Sequence, residues 1–483
     1  MLFSQLQFWL FFAIVLTLYA ILRHRAQNRM LLVASYVFYG AWDWRFLGLI
    51  LLSTGVDYFV ALRMGRENND RRRRYLMLVS LTMNLGLLGF FKYFNFFADS
   101  MHDLLSALGF QPSPLVLSIV LPVGISFYTF QTLSYTIDVY RRQLQPTADF
   151  LDFALFVSFF PQLVAGPIER ASNLLPEIAN PRRVTSEAFG RGVVLCTTGL
   201  IKKIVIADGI APSVDAIYQS TAPSGADILL ATWLFAIQIY CDFSGYTDIA
   251  RGVAKMLGFN LMLNFRQPYF ATNPQEFWHR WHISLSSWLR DYLYISLGGN
   301  RKGRWKTYRN LMATMVLGGL WHGAAWHFVA WGAYQGMLLT VHRALFGRQG
   351  GSLATVRDGF ERPRPRWSAG VKRLAAIVLF FQVVSYGWLL FRAESLAQVG
   401  QFTQSILHLD IAQFAALSIP KLPVPTVLAI ACLLLWDALI ERYGPTFYAG
   451  WATSLRGALY AGMVYLLAFG ATTATSAFIY FQF

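Results

Sequence analysis

The chain has 483 residues, of which 55% are apolar, 16% aromatic and only 14% charged, with a formal net charge of +16. A soluble protein carries about 25% charged residues, so a soluble globular enzyme is excluded. Nucleic-acid binding is disfavoured too, because the basic residues sit in short loops between apolar runs rather than on one face.

Apolar runs of near-spanning length recur from end to end, so we expect an all-α polytopic membrane protein, a single membrane domain over residues 1–483. The runs fall at about 8–22, 30–41, 46–62, 75–97, 115–135, 150–165, 191–212, 225–245, 310–341, 374–391, 425–440 and 455–480. The first is followed, not preceded, by Arg23, His24 and Arg25. It reads as a retained span with its N-terminus outside, not as a cleaved signal. Residues 63–75 carry six arginines and read as a cytoplasmic loop that anchors topology. At Leu121-Pro122-Val123-Gly124-Ile125 the run is interrupted, which predicts a broken or re-entrant helix.

Tyr240-Cys241-Asp242-Phe243-Ser244-Gly245-Tyr246-Thr247-Asp248 ends the next run. Its two aspartates invite either a functional role or pairing with Arg251 or another basic residue. Next comes a dense polar-aromatic stretch, residues 273–294. Asn273 could cap a helix there, with Pro274 at its first position and Glu276 three residues after the cap. On one continuous helix His279 and His282 share a face, and Ser286, Arg290 and Tyr294 extend a polar stripe from His282. That stripe could line a reaction chamber or lie at an aromatic-rich membrane interface.

Residues 310–341 contain no Asp, Glu, Lys or Arg, yet carry His322 and His327. Basic clusters flank them: Arg301, Lys302, Arg304, Lys306 and Arg309 before, His342, Arg343 and Arg348 after. The segment therefore enters the membrane and returns, with two short arms meeting at the glycines and His322 placed deep. The two histidines are about 140° apart on a helix, so one is expected to work and the other to be structural. Residues 347–372 read as a cytoplasmic loop, and residues 409–425 as an external or interfacial segment. Cys196, Cys241 and Cys432 are scattered, and neither a disulfide framework nor a metal site is expected.

Taken together, these motifs resemble the membrane-bound O-acyltransferase family, in particular its bacterial polysaccharide-acetylating branch. The resemblance rests on the Tyr240–Tyr246 motif, Asn264-Phe265-Arg266-Gln267-Pro268-Tyr269, Glu276-Phe277-Trp278-His279-Arg280-Trp281-His282-Ile283-Ser284, Arg290-Asp291-Tyr292, Gly298-Gly299-Asn300-Arg301 and Gly319-Leu320-Trp321-His322-Gly323. It implies roughly 11 transmembrane helices plus short ones around a thin centre, with cytoplasmic and outer funnels. It implies His322 and His282 as catalytic residues. Trp321, Trp278, Arg280, Ser286, Arg290 and Asp291 are expected to bind substrate. The implied donor is acetyl-CoA, with no permanently bound cofactor. The implied partners are the lipid bilayer, a periplasmic or membrane-anchored acyltransferase and a polysaccharide acceptor, at the bacterial inner membrane. A D-alanyl transferase fed by a carrier protein, and a proton-coupled transporter using the intramembrane His and Asp groups, remain as alternatives.

Overall fold

The computed structural model describes residues 1–111, 113, 119–347, 370–471 and 478–479. Every regular element among them is helical, as the hydropathy requires. Two compact units are formed. One holds Met1–Leu200 and Gly245–Leu263, the other Ile201–Ser244 and Asn264–Ile479.

The first unit contains α1 (Leu6–Ile21), α2 (His24–Asp43), α3 (Leu47–Arg66), α4 (Asp70–Leu88), α5 (Phe94–Ala107), α6 (Ile125–Tyr140), α7 (Phe150–Ser158), α8 (Phe160–Leu163), α9 (Ala171–Ala179) and α10 (Ser186–Leu200). It also holds the last turns of α12 (Gly225–Met256). The arginine-rich stretch differs from the expected loop. The Asn69 side chain accepts from the amides of Arg71 and Arg72, and Asp70 opens the first turn, so Arg71–Arg74 are helical. Arg73 is buried and donates to the carbonyls of Met64, Glu67, Val139 and Tyr140. These belong to the ends of α3 and α6, where carbonyls lack intrahelical partners.

The interruption at residues 121–124 is real. Gly124 has φ +78°, and a Cβ there would stand 2.8 Å from the Leu163 carbonyl oxygen, so only glycine suits the turn into α6. Two helices are tied together by a buried polar knot. The Asp57 carboxylate on α3 accepts from Ser80 at 2.5 Å and from Asn84 at 2.9 Å, both on α4. Such interhelical hydrogen bonds take the place of the hydrophobic drive that lipid cannot supply.

The second unit begins with a π-helical segment, Ile201–Ala207, followed by α11 (Asp208–Tyr218) and the start of α12. Two short helices follow, α13 (Pro274–Trp278) and α14 (Ile283–Trp288), then a second π segment, Leu289–Tyr294. The hairpin of α15 (Arg304–His322) and α16 (Trp326–Phe346) comes next. The unit ends with α17 (Gly370–Arg392), α18 (Leu396–Leu407), α19 (Val424–Tyr443) and α20 (Thr453–Gly470).

The expected enter-and-return segment is the α15–α16 hairpin, but its details differ. The arms have 19 and 21 residues. The chain reverses over residues 323–325, beginning at Gly323, the last glycine before α16. The difference arises because α15 starts inside the basic cluster and so gains length. Gly319 and Gly332 instead let the two helices meet backbone to backbone, since a side chain at either would strike Phe328 or Met315.

Among the described residues, five helical stretches are long and apolar enough to cross a membrane: His24–Arg66, Asp70–Ala107, Gly225–Met256, Gly370–Arg392 and Val424–Tyr443. This is fewer than the roughly 11 expected. Several apolar runs are broken by π segments or by interruptions of the helix, as between α7 and α8 at Phe159, and α1 has only 16 residues. Residues 409–425 contain one short 3-10 helix and are held by Asp227, which accepts from the amides of Ser418 and Ile419 at 2.8 and 3.0 Å. Residues 348–369, with Arg348 and most of the expected 347–372 loop, lie outside the described residues. So do parts of the 115–135 and 455–480 runs.

Replacing Arg73 with methionine keeps volume but leaves four carbonyls without their donor. We expect a loss of about 1–3 kcal/mol, read as a lower melting temperature of the purified protein. An unchanged melting temperature would show that the arginine serves topology alone.

Candidate active site

The site is assembled from six segments of the second unit: α13, the break at His282, α15, α16, α17 and α12. The first is α13. Asn273 caps it by accepting from the Glu276 amide at 2.9 Å, and Pro274 stands at its first position. Glu276 returns its bond to Thr272, amide and hydroxyl both at 2.9 Å, rather than to Asn273. The cap is as expected, but the helix ends after five residues.

The continuous helix expected over residues 273–294 does not form. His282 is a non-glycine residue in the left-handed region, φ +42°. The cause is Asn264. Its carbonyl accepts from the Ile283 amide at 2.9 Å, and its side-chain oxygen accepts from the Ser284 amide at 3.1 Å. Arg266 adds a bond to the Arg280 carbonyl at 2.9 Å. These bonds hold the backbone of residues 280–284 away from the helical ladder. A left-handed non-glycine residue costs about 1–3 kcal/mol and survives only where its surroundings over-determine it.

The break undoes the expected polar stripe. His279 shares no helical face with His282; its Nδ1 lies 2.8 Å from the Gln275 carbonyl oxygen. Ser286 donates to the Ile283 carbonyl, and Arg290 pairs with Asp291 at 2.6 Å. The π segment beginning at Leu289 further shifts Arg290 and Tyr294 out of register with His282.

What the break gains is the placement of His282 toward α15. The rings of His282 and His322 lie 6.3 Å apart, centroid to centroid. Both residues are buried, at 0% and 4% exposure. Trp321 lies 5.9 Å from His282 and 5.1 Å from His322. Trp331 stands edge-on to His322 at 5.0 Å, Phe391 at 5.5 Å, and Phe243 edge-on to His282 at 4.6 Å. Trp278 reaches Trp331 at 5.9 Å. Trp331, Trp388, Phe391 and Phe243 were not singled out from the sequence. The spacing Trp388-Leu389-Leu390-Phe391 was a signal, since residues three apart share a helical face.

His327 lies across the turn from His322. It begins the second arm of the hairpin, and its Nδ1 lies 3.3 Å from the Leu390 carbonyl oxygen of α17. Among the described residues no group of three or more His, Cys, Asp and Glu side chains is placed to hold a metal ion.

Arg280 was expected to bind substrate. Its guanidinium is instead committed to carboxylates, 2.7 Å from Glu276 and 2.8 and 2.9 Å from Glu441. Arg373 adds a further bond to Glu441 at 3.2 Å. The arrangement ties α13 to α17 and α19, so Arg280 is a structural cross-link. Burial pushes the Glu276 carboxyl up, but Arg280 and Thr272 outweigh burial and hold it below its ordinary value. A carboxyl depressed on folding contributes stability above its unfolded pKa of about 4.3 and loses it as pH falls through the folded value. Glu276→Gln is therefore expected to lower the melting temperature at pH 7, with the gap to wild type narrowing below about pH 4. A gap independent of pH would contradict the ionised pairing.

Comparison with known proteins places the chain in a family. Residues 75–350 match the model of the membrane-bound O-acyltransferase family. The chain is 42% identical over 449 residues to a probable alginate O-acetylase AlgI of Azotobacter vinelandii, covering 92% of this chain and 85% of that protein. It is 34% identical over 432 residues to a peptidoglycan O-acetyltransferase of Helicobacter pylori, with 83% and 78% covered. A teichoic acid D-alanyltransferase of Bacillus subtilis is 27% identical over 288 residues, with 56% and 69% covered. The chain belongs to the membrane-bound O-acyltransferase family and is a multi-pass membrane O-acyltransferase.

Proposed function

We propose that the protein is an acetyltransferase of the bacterial inner membrane. It takes acetyl from cytoplasmic acetyl-CoA and delivers it across the membrane for O-acetylation of an alginate-like exopolysaccharide or a cell-wall glycan. The observation that carries this reading is the pair His282 and His322, two buried imidazoles from separate segments with rings 6.3 Å apart among tryptophans. The acetyl-transferring relatives match more of the chain, at higher identity, than the D-alanyl-transferring one, which favours acetyl over D-alanyl.

The chemistry follows from what imidazoles do in a dry site. His322 accepts the proton of the acceptor hydroxyl as its oxygen attacks the thioester carbonyl. A C–O bond forms, and the carbonyl becomes an oxyanion, which His282 orients and stabilises by hydrogen bonding. The C–S bond then breaks, and the proton held by His322 passes to the departing thiolate. Trp321, Trp331 and Trp278 exclude water, which would otherwise hydrolyse the thioester.

The exposed cations Arg301, Lys302, Arg304 and Lys306 suit the phosphates of CoA better than Arg280, whose fork is already held by Glu276 and Glu441. Arg290 is half-buried and paired with Asp291, and it joins the phosphate site only by exchanging that partner. A periplasmic or membrane-anchored acyltransferase receives the acetyl group and passes it to the polysaccharide.

The test is release of free CoA and label transfer from labelled acetyl-CoA by purified protein with its cognate partner. His322→Ala, shown to be folded, is expected to lose at least 100-fold in kcat. Wild type that does not consume acetyl-CoA would overturn the donor. Full activity in His322→Ala would overturn the site.

A further inference from the structure

We propose that Asp242 is a positioning residue for His282. It acts through Phe243 and is held by Lys203, Asp208 and the backbone near the C-terminus. The inference rests on His282 belonging to the reaction centre.

The π segment Ile201–Ala207 buries two consecutive lysines, Lys202 and Lys203. Lys203 Nζ lies 2.8 Å from Asp208 Oδ1 and 2.8 Å from Asp242 Oδ1. The other oxygen of Asp242 accepts from the Ile479 amide at 2.7 Å. One ammonium and two carboxylates thus join the π segment, α11, α12 and the segment at residues 478–479. π segments recur at functional sites because they re-aim side chains that a regular helix would place elsewhere.

The brace leads to the site within one residue. Phe243 follows Asp242 and presents its edge to the His282 ring at 4.6 Å and 86°. Phe265 and Phe478 fix Phe243 at 5.0 and 6.0 Å. Three residues before Phe243, and so on the same face of α12, Tyr240 reaches Trp281 at 6.5 Å. Tyr240 donates to Asp437 at 2.9 Å, and Lys202 lies over its ring at 5.6 Å. Two adjacent lysines therefore brace the two aromatic residues that abut Trp281 and His282. The left-handed backbone of His282 explains the need, because a strained residue keeps its place only if its surroundings allow no other.

The test is a double-mutant cycle on the purified full-length chain, using the same acetyl-transfer assay. Asp242→Asn keeps the side-chain shape but removes the charge facing Lys203. We expect kcat to fall by about 10- to 100-fold, with KM for the donor nearly unchanged. In a His282→Gln background the same change should add little, because Asp242 acts through His282. Losses that multiply, or an unchanged kcat, would overturn the proposal.

Hydrogen exchange gives a readout independent of activity. Amides of residues 278–284 should exchange faster in Asp242→Asn, and unchanged exchange there would equally overturn the brace. If wild type transfers no acetyl, the proposed function fails and the exchange result alone decides this inference. Should Asp242→Asn not be recovered folded, Asp208→Asn weakens the brace from its far side and is read in the same way.

Discussion

Within a bilayer every backbone donor and acceptor must be satisfied by protein. The candidate site of this chain depends on how one helical break meets that demand. Residues 280–284 leave the helical ladder, and Asn264 and Arg266 supply the partners they lose. Without those bonds His282 would continue a helix and its ring would turn with that helix. With them it adopts a left-handed conformation and faces His322. Asn264 stands 18 positions before His282 in the chain, yet the placement of His282 beside His322 depends on it.

The same economy recurs elsewhere in the chain. Arg73 satisfies the open carbonyl ends of two helices, and the Asp57 carboxylate gathers hydroxyl and amide donors from α4. Lys203 binds two carboxylates at once, and Arg280 does likewise with Glu276 and Glu441. A buried charge left without a partner costs several kcal/mol, so charged residues that survive inside such a protein tend to be cross-links. This separates the two kinds of polar residue around the reaction centre. The arginine and aspartate groups hold segments together, while the two imidazoles, neutral when deprotonated, can be buried among aromatic rings at lower cost and still exchange a proton.

Much of this was legible from the sequence. Low charge content and recurrent apolar runs required a helical membrane protein, and the uncharged stretch between basic clusters required a segment that enters and returns. His322 stood out because an ionisable group in such a stretch is costly, and Asn273-Pro274-Gln275-Glu276 spelled out a helix start. The motif resemblance carried the family. The continuous helix through His279 and His282 was misread, because periodicity over residues 273–294 has no means of showing a competing partner at Asn264. The ion pairs of Arg280 were hidden for the same reason: a guanidinium reads as free until its carboxylates, at positions 276 and 441, are seen beside it.

The sequence by itself determined the class of solvent, the helical content and the hairpin, because these follow from local composition and the cost of charge in lipid. Only the tertiary structure decided which residues meet. His282 and His322 are 40 positions apart, Asp242 and Ile479 are 237 apart, and Arg280 and Glu441 are 161 apart. Such pairs arise from how whole helices pack and where they break. A short-range pattern encodes the faces that helices present but not the partners those faces find.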